Sequence, residues 1–261
     1  MPTHLFELGD GVDRRTIAAA VREGAAPPVL WLGGFRSDMR ATKAEALDGW
    51  AAATGRRFVR FDYSGHGVSG GRFEDGTLSR WLADALLAAE RLAPERPVLV
   101  GSSMGGWIAL LMARALRALG PERAPSGLVL IAPAVDFTER LMWATLPEEA
   151  RERIARDGVY LRPSAYSPEP TPITRALIED GRQHLLLGGP ITAGCPVHIL
   201  QGMQDPDVPW RHALNLVEHL PGDPVQLTLV NDGDHRLSRP EDLERLVAAV
   251  ERIGAAAVPA R

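Results

Sequence analysis

Three residues whose types together support nucleophilic catalysis occur in the order serine, aspartate, histidine: Ser103, Asp205 and His235. A serine hydroxyl is a poor nucleophile near neutral pH. It needs a base within hydrogen-bond reach, and an imidazole base needs an acceptor that fixes its tautomer and stabilises its protonated form. Ser103 stands in Gly101-Ser102-Ser103-Met104-Gly105, a G-x-S-x-G spacing whose small flanking residues permit a turn tight enough to lift one hydroxyl above a sheet edge.

Such a turn works only between a strand and a helix, and the flanking residues provide both. The apolar Val98-Leu99-Val100 precedes the turn, and an alanine- and leucine-rich helix former follows it from Gly106. The pattern repeats along the chain. Apolar runs at 28–32, 58–61, 127–131, 197–200 and 225–230 read as buried strands, and helical periodicity marks 39–51, 78–92, 210–220 and 240–253. Ser37 or Asp38 is the expected cap of the first of these helices. Alternation of this kind calls for an α/β fold with a mostly parallel sheet and helices on both faces. Ser103, Asp205 and His235 then follow the C-terminal ends of successive strands, where open α/β sheets form their ligand crevices.

Two stretches break the rhythm. Residues 5–8 and 16–21 flank the turn-forming Gly9-Asp10-Gly11 as a hairpin would, although Ala18-Ala19-Ala20 suits a helix equally well. Residues 135–194 lose the strand–helix alternation and carry Pro163, Pro168, Pro170 and Pro172, a helical stretch at 148–156, and the large side chains of Met142, Trp143, Tyr160 and Tyr166. The expectation is one domain over 1–261 with 135–194 inserted between core strands as a lid; a peripheral subdomain with its own small core is the alternative.

Composition narrows the function classes. A net charge of −4 gives no electrostatic footprint for nucleic acid. Lys43 is the single lysine among 29 basic residues, and Cys195 is the single cysteine, which excludes an intrachain disulfide or a thiol-rich metal site. No run of 18 apolar residues suggests a membrane span, and the N-terminus lacks the basic start and apolar core of a secretion signal, so a soluble cytoplasmic protein is expected. Asp232 and Asp234 beside His235 read as solvated turn carboxylates rather than as a metal cluster.

With Leu32-Gly33-Gly34-Phe35, Asp62-Tyr63-Ser64-Gly65-His66-Gly67-Val68-Ser69 and the Gly202-to-Pro209 segment added to the serine turn, the chain resembles the α/β-hydrolase fold superfamily along nearly its full length. The resemblance implies a strand at 16–21 and makes Asp205, three residues past Gly202, the orienting acid; Asp207, two residues further on, is the competing assignment and is also placed to cap the next helix. It also implies an oxyanion hole of the Phe35 and Met104 backbone N–H groups and a structural turn role for His66, and it places Gly33 where many members have histidine. His4, His184, His198, His212 and His219 read as surface or core residues.

Within the superfamily the stretches from Gly33 to Met39, Phe61 to Ser69 and Gly101 to Trp107 are most similar to the branch of acyl-glucuronide esterases and depalmitoylating thioesterases. That likeness implies hydrolysis of carboxylic esters or acyl thioesters, of small molecules or acylated proteins, through an acyl-serine and with no cofactor or metal. A monomer or homodimer is expected. Acyl transfer, C–C bond hydrolysis and a low-turnover binding module would keep the same three residues and stay open at this point.

Overall fold

The computed structural model describes residues 3–8, 14–163 and 168–256. The chain runs β1 (Thr3–Leu8), β2 (Arg15–Arg22), β3 (Ala25–Leu32), α1 (Thr42–Thr54), β4 (Arg56–Phe61), α2 (Leu78–Leu92), β5 (Val98–Ser102), α3 (Met104–Ala118) and β6 (Gly127–Ile131). After an inserted segment it resumes with β9 (Val197–Gly202), α6 (Trp210–Glu218), β10 (Val225–Val230) and α7 (Pro240–Ala256). Among the described residues these strands form an eight-stranded sheet in the order β1-β2-β4-β3-β5-β6-β9-β10. β1 pairs antiparallel with β2 and β2 with β4, while β4, β3, β5, β6, β9 and β10 are parallel. Residues 16–21 therefore belong to a strand, as the resemblance implies; the Gly9-Asp10-Gly11 turn lies outside the described residues.

Apolar runs become strands here because both faces of the sheet are covered. Along β3, Leu30 and Leu32 point into a core shared with α2 and α3, whereas Val29 and Trp31 point into a second core shared with α1 and α7. β5 divides likewise, with Leu99 on one side and Val98 and Val100 on the other. Each strand is thereby held against sliding, since a one-residue slip would exchange its faces.

The inserted segment between β6 and β9 contains α4 (Glu148–Asp157), β7 (Val159–Arg162), β8 (Thr171–Thr174) and α5 (Arg175–Gly181), with β7 and β8 paired antiparallel as a separate two-stranded sheet. Buried Asp136 anchors its two ends: its carboxylate accepts the Leu186 and Leu187 N–H groups at 2.8 and 2.9 Å. Met142 is buried, Trp143 lies beneath the Arg151 and Arg182 guanidinium groups, and Tyr160 packs on the main core; Tyr166 is outside the described residues.

The first helix starts later than its sequence suggests. α1 begins at Thr42 without a side-chain cap, and Asp38 instead accepts the Arg40 N–H at 2.8 Å. Met39 precedes the helix and is buried against Ala18 and Ala20. Among the described residues no helix is long and apolar enough to cross a membrane.

Candidate active site

Ser103 separates β5 from α3 with φ 53° and ψ −116°, a conformation that costs a side-chain-bearing residue about 1–3 kcal/mol and persists only when its surroundings enforce it. Three main-chain hydrogen bonds do so. The Ser103 N–H donates to the Ile131 carbonyl at 2.8 Å, and its own carbonyl accepts from Gly106 at 2.9 Å and Ala134 at 3.1 Å. The flanking glycines are steric requirements: a Cβ on Gly101 would lie 2.3 Å from the Gly105 carbonyl oxygen, and one on Gly105 would lie 2.1 Å from that of Leu32. The half-buried serine is thus fixed at the N-terminus of α3, where the helix dipole favours negative charge.

Asp205 and His235 come together at the same sheet edge, in the loops after β9 and β10. His235 Nδ1 lies 2.8 Å from Asp205 Oδ2, and the aspartate side chain is fully buried. The remaining acceptor capacity of the carboxylate is also used. Oδ1 accepts the Asp207 and Val208 N–H groups, both at 2.8 Å, and Gln201 Nε2 donates to Oδ2 at 3.2 Å. A carboxylate held from four sides cannot rotate away, so it presents a fixed acceptor to the imidazole and leaves Nε2 as the nitrogen available for proton transfer. Asp207 does not cap α6: Pro209 occupies the cap position, with no side-chain hydrogen bond.

Phe35 and Met104, the expected oxyanion donors, lie in the turn after β3 and at the start of α3. Met104 is the first residue of α3, so its N–H has no partner within the helix. Phe35 sits in a turn closed by the Ser37 N–H donating to the Gly34 carbonyl at 3.1 Å, and the Gly34 backbone packs on the serine: a Cβ there would be 3.5 Å from Ser103 Cβ. The Phe35 ring is half-buried in an aromatic wall, with centroids 5.0 Å from Phe73, 5.8 Å from Trp81 and 5.6 Å from Phe137. Trp107 extends that wall, 5.6 Å from Phe137.

The other histidines are engaged elsewhere. His198 meets Thr228, His212 the Val135 carbonyl, His219 the Asn215 carbonyl and His184 the Ser79 hydroxyl, while His4 is exposed. Asp232 pairs with Arg239 at 2.6 Å, and Asp234 accepts the Leu237 N–H. Among the described residues the one grouping with metal-ligand spacing is Asp205, Asp207 and His235, but there the imidazole Nδ1 already faces Asp205. Cys195 is buried, which pushes its thiol up to about 12 and leaves it inert as a nucleophile.

Sequence reasoning missed three supporting residues. Gln201 also donates to the Gly202 and Val208 carbonyls, bracing the Asp205 loop. The Lys43 ammonium donates to the carbonyl of Arg236, the residue after His235. Arg36 reaches from the Phe35 turn to the inserted segment, donating to the Pro170 carbonyl at 2.9 Å and the Thr171 hydroxyl at 3.2 Å. Lys43 had a visible signal in being the single lysine; the other two are set by tertiary packing.

A family model described as "Alpha/beta hydrolase family" matches residues 18–249. The mitochondrial palmitoyl-protein thioesterase ABHD10 of Bos taurus is 34% identical over 230 residues, covering 88% of this chain and 73% of that protein. Among solved structures, a putative hydrolase from Agrobacterium vitis S4 superposes with a TM-score of 0.93 at 54% identity, covering 97% of this chain and 98% of that one. Alpha/beta hydrolase domain-containing protein 10 from mouse superposes with a TM-score of 0.84 at 32% identity, covering 96% and 98%.

Proposed function

The chain belongs to the alpha/beta hydrolase family, and from that premise we propose that it hydrolyses carboxylic esters and acyl thioesters through an acyl-serine on Ser103. The observation that carries this reading is the buried, saturated Asp205 carboxylate holding His235 at 2.8 Å, on the sheet edge that also bears the strained Ser103 turn.

In the proposed cycle His235 Nε2 takes the Ser103 proton as Oγ attacks the acyl carbonyl. Asp205 stabilises the resulting imidazolium, and the Phe35 and Met104 N–H groups stabilise the oxyanion. Collapse breaks the C–O or C–S bond, with His235 returning its proton to the leaving alcohol or thiol. Water, activated by the same imidazole, then attacks the acyl-serine and releases the acid.

The partly exposed Phe35 and Phe73 rings, backed by the buried Trp81, Phe137 and Trp107, support an apolar acyl group as the preferred substrate portion. The inserted segment serves as a cap over this side, because it contributes Phe137 and reaches the Phe35 turn through Arg36. The mammalian relative is named a palmitoyl-protein thioesterase, and long-chain acyl thioesters are accordingly among the proposed substrates. That relative is named as mitochondrial, whereas the single buried cysteine fits any reducing compartment including the cytoplasm; cell fractionation separates these settings.

The test compares wild type with Ser103→Ala on p-nitrophenyl esters and S-acyl thioesters of increasing chain length. Sustained wild-type turnover that rises with chain length, and its loss in the variant, is the expected result. Equal turnover by both proteins would remove Ser103 from the mechanism.

A further inference from the structure

His66 lies outside the catalytic residues proposed above, yet it is built into their support. It is 4% exposed, with its ring edge-on to Tyr63, Phe73 and Trp81 at centroid distances of 5.7, 5.1 and 5.3 Å. Phe73 and Trp81 are the same rings that flank Phe35. His66 Nδ1 is 3.3 Å from the Ser64 carbonyl oxygen, and Nε2 accepts the Arg36 N–H at 3.2 Å. A carbonyl only accepts and an amide N–H only donates, so the two contacts together select one tautomer, neutral with the proton on Nδ1 and a lone pair on Nε2. Burial above all keeps the ring neutral, pushing its pKa down to about 4, and the Arg36 guanidinium acts in the same direction.

Arg36 needs that acceptor. It directly follows Phe35 and holds φ 59°, a left-handed conformation that disfavours any residue with a Cβ and relaxes unless anchored. Nothing in the turn itself anchors the Arg36 N–H, since the turn's own closing bond runs from Ser37 to Gly34. The imidazole supplies the anchor one peptide away from the N–H that is to meet the oxyanion, and a donor displaced by a fraction of an ångström loses much of its effect on developing charge.

Resting on the reading of Ser103 and Phe35 given above, we propose that His66 is a positioning residue for the oxyanion hole: its Nε2 accepts the Arg36 N–H and so aims the Phe35 N–H at the acyl oxygen, without touching substrate. The role belongs to the transition state. Ground-state binding, which depends on the aromatic wall, should be nearly indifferent to it.

Two substitutions separate this role from simple packing. His66→Phe keeps a ring among Tyr63, Phe73 and Trp81 but removes the acceptor, whereas His66→Gln offers an amide oxygen at about the reach of Nε2. Each is measured for kcat and KM on a p-nitrophenyl ester, and for inhibition by a trifluoromethyl ketone, which forms a tetrahedral oxyanion adduct, against a non-electrophilic thioether of the same chain. His66→Phe should lower kcat about 10- to 100-fold with KM within about threefold, and weaken the trifluoromethyl ketone by a similar factor while leaving the thioether unchanged. His66→Gln should recover most of both losses. If His66→Phe fails to fold, His66→Asn takes its place, because its shorter amide cannot reach Arg36. Wild-type kcat and ketone affinity in His66→Phe, or equal activity of His66→Asn and His66→Gln, overturns the proposal. Ser103→Ala, assayed in parallel, keeps the two failures apart: its inactivity beside an unaffected His66→Phe rejects only the role of His66, whereas its full activity rejects the underlying reading.

Discussion

Asp205 Oδ2 faces His235 Nδ1 at 2.8 Å while Oδ1 accepts two backbone N–H groups, so the carboxylate is oriented by the main chain and in turn orients the imidazole. Replacing Asp205 by asparagine keeps the shape but allows the amide to present N–H to Nδ1, which favours the wrong histidine tautomer. Asp205→Asn should therefore lower kcat by about 10³- to 10⁴-fold with little change in KM, measured by steady-state ester hydrolysis. A loss below tenfold would mean that Asp205 does not orient the base.

The serine turn depends on main-chain contact that no side chain can enter. A methyl group on Gly105 would meet the Leu32 carbonyl at 2.1 Å, forcing the end of β3 away from α3. Gly105→Ala should cost about 1–3 kcal/mol in urea unfolding, with activity falling further than stability does because β3 leads into the Phe35 turn. An unchanged urea midpoint would contradict the packing described.

Arg36 ties the Phe35 turn to β8 through the Pro170 carbonyl and the Thr171 hydroxyl, with its guanidinium also 5.6 Å from the Phe73 ring centroid. Arg36→Ala removes these contacts but keeps the N–H bonded to His66. Hydrogen exchange over 171–174 should quicken by about tenfold, in line with the loss of one or two hydrogen bonds of ordinary strength. Unaltered exchange there would show that the inserted segment is held by other contacts.

Lys43 provides a pH signature. Burial, aided by the Arg236 guanidinium and opposed by Asp234, Asp242 and Asp205, pushes its ammonium down to about 8 from an ordinary 10.5. Between those values the unfolded chain binds more protons than the folded one, so this group makes stability rise with pH from about 8 to 10.5 and contributes no pH dependence below or above that window. Comparing urea midpoints at pH 7.5 and 10, wild type should gain on Lys43→Met at the higher pH. A difference between the two proteins that does not vary with pH would contradict this.

How much of this could be read from sequence follows from which interactions are local. The serine turn was legible because its glycines and its strand-to-helix change are adjacent in the chain, and Asp205 and His235 because each follows an apolar strand. The paired strands β7 and β8 were not, since each is four residues long and β8 contains Pro172, too little for a periodic signal. Met39 read as part of a helix because it is apolar at a helical spacing; its burial comes instead from Ala18 and Ala20 on β2. The contact of His66 with Arg36 joins loops 30 residues apart, and neither residue type announces it.

The most direct test of the central claim is to trap the intermediate. Wild-type protein mixed with a slowly deacylating p-nitrophenyl ester, quenched in acid and analysed by peptide mass spectrometry, should carry one acyl group on Ser103, appearing at the rate of the p-nitrophenol burst. An acyl group on another residue, or sustained hydrolysis with no acylated peptide and an unaffected Ser103→Ala variant, would contradict the account.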